Sequence, residues 1–250
     1  MSEAFVRFEE VYKSFGPKQV LEGVDLEIRR GETMVVLGGS GSGKSVLIRH
    51  IIGLHRPDRG HVFVDGEDVV DLDEEELVPV RKKVAMLFQG GALFDSMNVR
   101  ENIAYSLREH TDLDEDAIRA TVRAKLALVG LEGVEDLMPA ELSGGMKKRV
   151  ALARSIAMEP RCILYDEPTT GLDPVTANTI NDLIREMQRQ LKVTSVVVTH
   201  DIQSAFYVGD RIGYLYGGKM HFVGTVDEAR SSDEPRLRGF LSGGREGAHV

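Results

Sequence analysis

Gly38-Gly39-Ser40-Gly41-Ser42-Gly43-Lys44-Ser45 matches the pattern G-x-x-x-x-G-K-[ST] at every specified position. Met34-Val35-Val36-Leu37, just before it, is a short apolar run that reads as a strand buried on both faces. Val46-Leu47-Ile48, just after it, opens a helix. In that strand–loop–helix context the glycines let the backbone curl so that successive N–H groups face phosphate oxygens. The helix start adds its positive dipole end. Lys44 is placed to reach the β- and γ-phosphates and Ser45 to ligate Mg²⁺, while the loop from Gly38 to Val46 supplies the cradle. A purely structural glycine turn is the competing reading, and the agreement of motif with context counts against it.

A second element lies far along the chain. Ile163-Leu164-Tyr165-Asp166-Glu167 is an apolar strand that delivers two carboxylates at its C-terminal end, where ligands sit in open parallel sheets. Asp166 reads as a holder of Mg²⁺ through its water shell. Glu167 reads as the group that orients and deprotonates an attacking water. Adjacent strand residues face opposite ways, so the two are not expected to share a role; the alternative is that one of them caps a turn near Pro168. Between the two elements stands Leu142-Ser143-Gly144-Gly145-Met146, followed by Lys147-Lys148-Arg149-Val150. Ser143 is a plausible helix cap, and Gly144 and Gly145 would expose backbone N–H groups as a second anion site.

The rest of the chain frames these motifs. Val6, Phe8 and Glu10, then Val24, Leu26 and Ile28, alternate as strands with one buried face, broken by a Gly16-Pro17 turn. His61 to Val64 reads as a strand entering a turn at Asp65-Gly66. Asp114 caps a helix carrying Ile118, Val122, Leu126 and Val129, closed by Gly130, and another helix is expected from Gly145 to Ala157. Residues from about 90 to 160 therefore read as a mainly helical lobe inserted into an α/β core made of residues 5–89 and 161–230. Ser195 to Val198 is a further buried strand, and Arg211 to Tyr216 with Lys219 to Phe222 reads as a hairpin through Gly217-Gly218. The expected fold is α/β, a mostly parallel core sheet with an N-terminal antiparallel part. One domain spans 5–241, with a polar, glycine-containing tail over 231–250 whose end is expected to be mobile.

Composition narrows the function classes. The chain has 250 residues, 28% of them charged and 42% hydrophobic, as in a globular protein of one large domain or two modest lobes. A net charge of −9 argues against non-specific nucleic-acid binding, which needs basic surface. The single cysteine, Cys162, heads an apolar run; it permits neither a disulfide framework nor a zinc cluster and suits a reducing compartment. The N-terminus lacks the pattern of a signal peptide, and no apolar run approaches the ~18 residues of a spanning helix, so a role at a membrane would need another chain to cross it.

The ordered set of motifs resembles the ABC-transporter ATPase family, whose signature is usually LSGGQ and stands here as Leu142-Ser143-Gly144-Gly145-Met146. The resemblance runs from about Phe5 to Leu241. It implies ATP and Mg²⁺ as ligands and a head-to-tail pair with a second copy, in which Ser143, Gly144 and Gly145 face the γ-phosphate held by the partner's phosphate loop. It matches Gln89, after Val84-Ala85-Met86-Leu87-Phe88, to a glutamine that touches Mg²⁺ or water. It matches Asp173, in Gly171-Leu172-Asp173, to a residue at the dimer seam, and His200, after Val196-Val197-Val198-Thr199, to the histidine that contacts the γ-phosphate. Phe15 matches the aromatic that stacks on adenine; Tyr12 is the alternative, and a plain core aromatic a third reading. Met146 for the usual Gln, and Gly39 where many members have Pro, are departures that a backbone-built site should tolerate.

The stretch from Ala85 to Val99, Ala85-Met86-Leu87-Phe88-Gln89-Gly90-Gly91-Ala92-Leu93-Phe94-Asp95-Ser96-Met97-Asn98-Val99, is similar to the ATPases of the Mla lipid-asymmetry system and its Mkl-type relatives. So are Leu107-Arg108-Glu109-His110, Leu137 to Met146, and the tail Glu234 to Leu241. That subgroup implies an MlaE-type permease, an MCE-domain protein, phospholipid as cargo, and a peripheral place on the cytoplasmic side of the inner membrane. It also leaves room for a small STAS-type regulator on the helical lobe. Phe94, Met97 and Val99 then read either as local core packing or as a permease-docking surface. The rival classes are an ATPase of another ABC importer for amino acids or other small solutes, a non-transport ABC ATPase, and a kinase or GTPase of another phosphate-loop family. The absence of coiled coils, zinc modules, a second ATPase domain or a basic surface speaks against the second. The signature together with Gln89 and His200 speaks against the last.

Overall fold

The computed structural model describes residues 3–243. Its strands are β1 (Ala4–Phe15), β2 (Lys18–Arg29), β3 (Thr33–Leu37), β4 (Arg59–Val64), β5 (Glu67–Asp68), β6 (Val84–Leu87), β7 (Cys162–Asp166), β8 (Thr194–Thr199), β9 (Arg211–Tyr216) and β10 (Lys219–Thr225). Its helices are α1 (Lys44–Ile51), α2 (Leu77–Lys83), α3 (Val99–His110), α4 (Glu115–Leu128), α5 (Gly144–Ser155), α6 (Pro174–Leu191), α7 (Ile202–Val208), α8 (Val226–Arg230) and α9 (Pro235–Leu241).

Two sheets form. The first is antiparallel, in the order β2-β1-β4-β5. Val6 pairs with Ile28, Phe8 with Leu26 and Val11 with Val24, and all six side chains are buried. The alternation expected through Glu10 stops at Phe8. Glu10 turns into the left-handed region at φ +49°, the register shifts there, and the extra residue brings Val11 rather than Glu10 onto the buried face.

The second sheet has the order β10-β9-β3-β8-β7-β6, with β10 antiparallel on one edge and the other five strands parallel. Its side chains alternate between two cores. Met34, Val36, Cys162, Leu164, Val196 and Val198 pack against α1 and the first sheet. Val35, Leu37, Ile163, Tyr165 and Val197 face the helices of the middle segment and α6. Burial pushes the Cys162 thiol well above its ordinary pKa, as expected of a structural cysteine.

Register decides where the site forms. Leu37 lies beside Thr199, and Asp166 beside Val198, so β3, β7 and β8 end together. The next residue of each strand, Gly38, Glu167 and His200, therefore emerges at one edge. Leu87 of β6 pairs with Tyr165, which brings Gln89 to the same edge.

Between residues 90 and 160 the chain forms α3, α4, α5 and one 3-10 turn at Pro139–Glu141. Asn98 and Glu101 make a capping box on α3, and Asp114 caps α4 through the Ala117 N–H. Val129 is the C-cap of α4, and Gly130 follows it in the left-handed conformation. Val99, Ile103, Leu107, Ile118, Val122 and Leu126 share one core with Val35 and Leu37, so no polar seam separates this segment from the sheet. The tail is less polar in role than its composition suggests. Glu234 caps α9, Leu237 is fully buried, and the Phe240 ring lies 5.4 Å from that of Tyr214. Residues 244–250, where a mobile end is expected, lie outside the described residues. Among the described residues no helix is long and apolar enough to cross a membrane.

Candidate active site

The loop between β3 and α1 needs glycine for two different reasons. Gly43 has φ +101°, and a Cβ there would lie 2.9 Å from the Val20 carbonyl. At Gly38 a Cβ would lie 2.4 Å from the Leu215 carbonyl. Gly39 has neither constraint: a Cβ there would meet nothing within 4 Å and its φ is not positive. Lys44 is 5% exposed and its ammonium donates to the Gly38 and Gly39 carbonyls at 2.8 and 3.0 Å.

Across the sheet edge, Ser45 Oγ donates to Asp166 Oδ1 at 2.6 Å, and Arg49 Nη2 reaches Asp166 Oδ2 at 3.3 Å. Asp166 is the last residue of β7, while Glu167 has already left the strand with φ +49°, its N–H donating to the Val198 carbonyl at 2.9 Å. The two carboxylates separate because of this left-handed turn, not through simple strand alternation. A left-handed glutamate is strained, and such strain gathers at functional positions. Glu167 Oε1 lies 3.4 Å from Lys44 Nζ. Its Oε2 lies 2.9 Å from His200 Nδ1 and accepts from Thr170 Oγ1 at 3.1 Å.

A cavity of about 510 Å³ opens over these groups. It is lined by the loop from Ser40 to Val46, by Gln89, Glu167, Thr170 and His200, and by Lys18 and Val20 of β2. The Ser42 hydroxyl in its wall is buried without a partner, a donor awaiting an acceptor. The Ser45–Asp166 pair offers hard oxygen ligands, and among the described residues no cluster of three or more His, Cys, Asp or Glu could hold a metal. That donor set fits Mg²⁺, which takes one or two protein ligands and completes its shell with water and substrate phosphate.

Other expected site residues lie elsewhere. Ser143 caps α5 by accepting from the Met146 N–H at 3.3 Å, but Ser143, Gly144 and Gly145 line no part of the cavity. Gly144 and Gly145 lie instead against Leu172 and the first turn of α6, where a Cβ on Gly145 would lie 2.5 Å from Thr176 Cγ2. Asp173 caps α6 through the Val175 and Thr176 N–H groups, and the Thr176 hydroxyl holds its carboxyl below the usual carboxylate range. Phe15 is 45% exposed, outside the cavity lining, with its ring edge to His55 at 5.3 Å and Lys13 Nζ 5.4 Å above it. Tyr12 is packed beneath Arg59 and against Gly23, which leaves Phe15 as the more exposed of the two aromatics.

Sequence reasoning missed Arg49, Thr170, Lys148 and Arg154. Arg49 was detectable, because it stands four residues after Ser45 on the same helix face. Thr170, three residues beyond Glu167, meets it across the turn that follows β7, where its N–H also donates to the Glu167 carbonyl at 3.3 Å. Lys148 donates to the Gln89 carbonyl; burial lowers its pKa, while Asp166 and Glu167 pull it back up.

Fold and cavity together define an α/β nucleotide-binding cassette, and the chain belongs to the ABC transporter family, whose profile matches residues 21–170. Its relatives include the probable ribonucleotide transport ATP-binding protein mkl of Mycobacterium tuberculosis, 46% identical over 94% of this chain and 66% of that protein. The chain thus spans slightly under two thirds of that relative's length. The intermembrane phospholipid transport system ATP-binding protein MlaF of Escherichia coli is 43% identical over 93% of this chain and 86% of that protein. Among solved structures, a dimeric ATP-binding cassette in a post-hydrolysis state with ADP and Pi superimposes with a TM-score of 0.82 at 34% identity, covering 88% of this chain and 98% of that one.

Proposed function

We propose that this chain binds and hydrolyses ATP as one of a head-to-tail pair, and that the pair drives phospholipid transport between membranes. The observation that carries the catalytic reading is Glu167, spanned between Lys44 and His200 beside a glycine cradle at the ends of β3, β7 and β8. In this reading the N–H groups of 38–46 and Lys44 bind the phosphates, and Phe15 stacks on adenine. Ser45, Asp166 and Gln89 hold Mg²⁺, which supplies charge neutralisation on the β- and γ-oxygens when bound. Glu167 orients a water and takes its proton, and His200, one carboxylate away, contacts the γ-phosphate and fixes the Glu167 rotamer.

Phosphoryl transfer to water depends on positioning and charge stabilisation more than on covalent chemistry. A site with no signature groups of its own in the cavity needs them from a second copy. Ser143, Gly144 and Gly145 of the partner cap the γ-phosphate, and Asp173 lies along the seam. ATP then favours the closed pair over the open one, and hydrolysis releases it. The core over 5–89 and 161–230, with the helical lobe between, divides these duties: the core holds the nucleotide and the lobe presents the signature.

The likeness to MlaF favours phospholipid over other cargo, with an MlaE-type permease, an MCE-domain protein and a place on the cytoplasmic face of the inner membrane, and leaves room for a small STAS-type regulator on the lobe. The name of the mycobacterial relative favours a second reading, a transporter of ribonucleotides or another small solute with the same catalytic machinery. Two experiments test these readings. The Glu167→Gln chain should pair stably with Mg-ATP; a chain that stays monomeric even with its membrane partners present overturns the pairing. Gentle extraction of the tagged chain from its host membranes should bring down a permease, an MCE protein and phospholipid. A permease with a solute-binding protein instead sinks the lipid reading and keeps the ATPase.

A further inference from the structure

Helix α5 carries two cations that point at the main chain of the loop following β6. Lys148, 6% exposed, donates to the Gln89 carbonyl. Arg154 donates from Nη1 to the Ala92 carbonyl at 2.8 Å and from Nη2 to the Gly91 carbonyl at 2.9 Å, with its guanidinium 5.7 Å from the centre of the Phe94 ring. Ala92 has φ +49°, a strained conformation that surrounding contacts must hold in place. From the other side Asn102 of α3, fully buried, accepts from the Phe94 N–H at 2.8 Å and donates to the Phe94 and Met97 carbonyls at 3.1 and 2.9 Å.

Loop carbonyls at a protein surface are ordinarily satisfied by water. Here three carbonyls of one short loop, those of Gln89, Gly91 and Ala92, are gripped by cations from one helix, through charge-assisted bonds that are stronger and shorter than neutral ones. Burying the Lys148 ammonium and partly burying the Arg154 guanidinium is unfavourable unless these bonds offset it. The loop begins at Gln89, which lines the nucleotide cavity, and the helix begins at Ser143-Gly144-Gly145, the signature.

We propose that Lys148 and Arg154 are positioning residues that bind helix α5 to the 89–94 loop, so that the signature and the Gln89 loop move as one body when ATP pairs two cassettes. The inference rests on the ATP-driven pairing proposed above. A displacement at either end is passed on only while the two are tied, because the loop has no strand or helix of its own to carry it. Neither side chain touches the reacting atoms.

The test uses the full chain with Arg154→Met, Arg154→Lys and Lys148→Met, each also combined with Glu167→Gln, and Mg-ATP as the probe. Melting temperature, single-cassette ATP affinity, kcat and ATP-driven pairing are measured. The chain contains no tryptophan, so Tyr105→Trp, whose ring position lies 5.4 Å from Phe94, adds a fluorescence report on the loop. Arg154→Met should leave single-cassette affinity within about twofold while kcat and pairing fall by about tenfold or more. Arg154→Lys keeps the charge but not the fork and should fall between. The fluorescence and pairing midpoints in ATP should coincide in the parent chain and separate in Arg154→Met. Parent-level kcat and pairing in folded Arg154→Met and Lys148→Met would overturn the proposal. So would a loss of ATP affinity and melting temperature in proportion to kcat, the mark of a structural role only. If Arg154→Met does not fold, Arg154→Lys and Lys148→Met decide the same comparison. A parent chain that neither hydrolyses ATP nor pairs counts instead against the ATPase reading itself.

Discussion

His200 Nδ1 lies 2.9 Å from Glu167 Oε2, on the oxygen opposite the one that faces Lys44. The two side chains leave adjacent strand ends, and their contact makes them one unit. If they act as proposed, removing one disables the other, so their effects should not add. Glu167→Gln and His200→Ala should each lower kcat by about 10²–10⁴-fold, and the double variant should lose little beyond the worse single one. Steady-state ATPase rates of the four chains check this; a fully additive loss would mean that the contact has no catalytic meaning.

The phosphate loop makes a contrast between two glycines. Gly43→Ala forces a Cβ to 2.9 Å from the Val20 carbonyl at φ +101° and should cost about 1–3 kcal/mol along with nucleotide binding. Gly39→Ala meets nothing within 4 Å and should change stability by less than about 0.5 kcal/mol. Denaturation midpoints and ATP titrations on both variants read the difference.

Phe15 and Tyr12 can be told apart by which quantity moves. Phe15 is exposed, so Phe15→Ala should raise the Kd for ATP by about tenfold, the worth of one base–aromatic stack, with little loss of stability. Tyr12 is packed beneath Arg59 at 4.8 Å, so Tyr12→Ala should lower the melting temperature and leave ATP affinity nearly unchanged. The reverse pattern would move the adenine platform to Tyr12.

His50 links stability to pH. It is buried, its Nδ1 bonds the Val46 carbonyl at 2.7 Å, and burial lowers its pKa from 6.5 to about 4. The unfolded chain takes up a proton below pH 6.5 and the folded chain only near pH 4, so falling pH favours unfolding across that window. The stability lost between those limits is about 3 kcal/mol, at about 1.4 kcal/mol per pKa unit. Denaturant midpoints of the parent chain and His50→Gln from pH 7 to pH 4 should converge as pH falls, because the variant lacks this slope. Parallel curves would refute it.

Much of this protein was legible in one dimension. Gly43-Lys44-Ser45 between an apolar run and a helix start, and Asp166-Glu167 after another apolar run, are local patterns, and local patterns survive in sequence. So are the caps at Asp114 and Ser143, which need only the next turn of helix. Alternation misplaces Glu10, because a bulge is a backbone event that the order of apolar and polar residues does not announce. The residues of α9 read as polar tail because its few apolar side chains declare their role only in the fold, where Leu237 is buried and Phe240 lies beside Tyr214.

The sequence by itself determined the class of chemistry. A glycine cradle with Lys44 and Ser45, two carboxylates after a strand, and a second glycine anion site in one order admit few other uses. The tertiary structure alone decided how those pieces meet. The pairing of Leu37 with Thr199 and Asp166 with Val198 is what sets Gly38, Glu167 and His200 at a single edge. A left-handed turn, not strand alternation, parts Glu167 from Asp166. The cations on α5 find the carbonyls of a loop some sixty residues earlier, Lys148 the one at Gln89 and Arg154 those at Gly91 and Ala92. The physical reason is common to all three: register, backbone dihedral and the reach of a side chain to a distant main chain are set by long-range packing, which no stretch of neighbouring residues encodes.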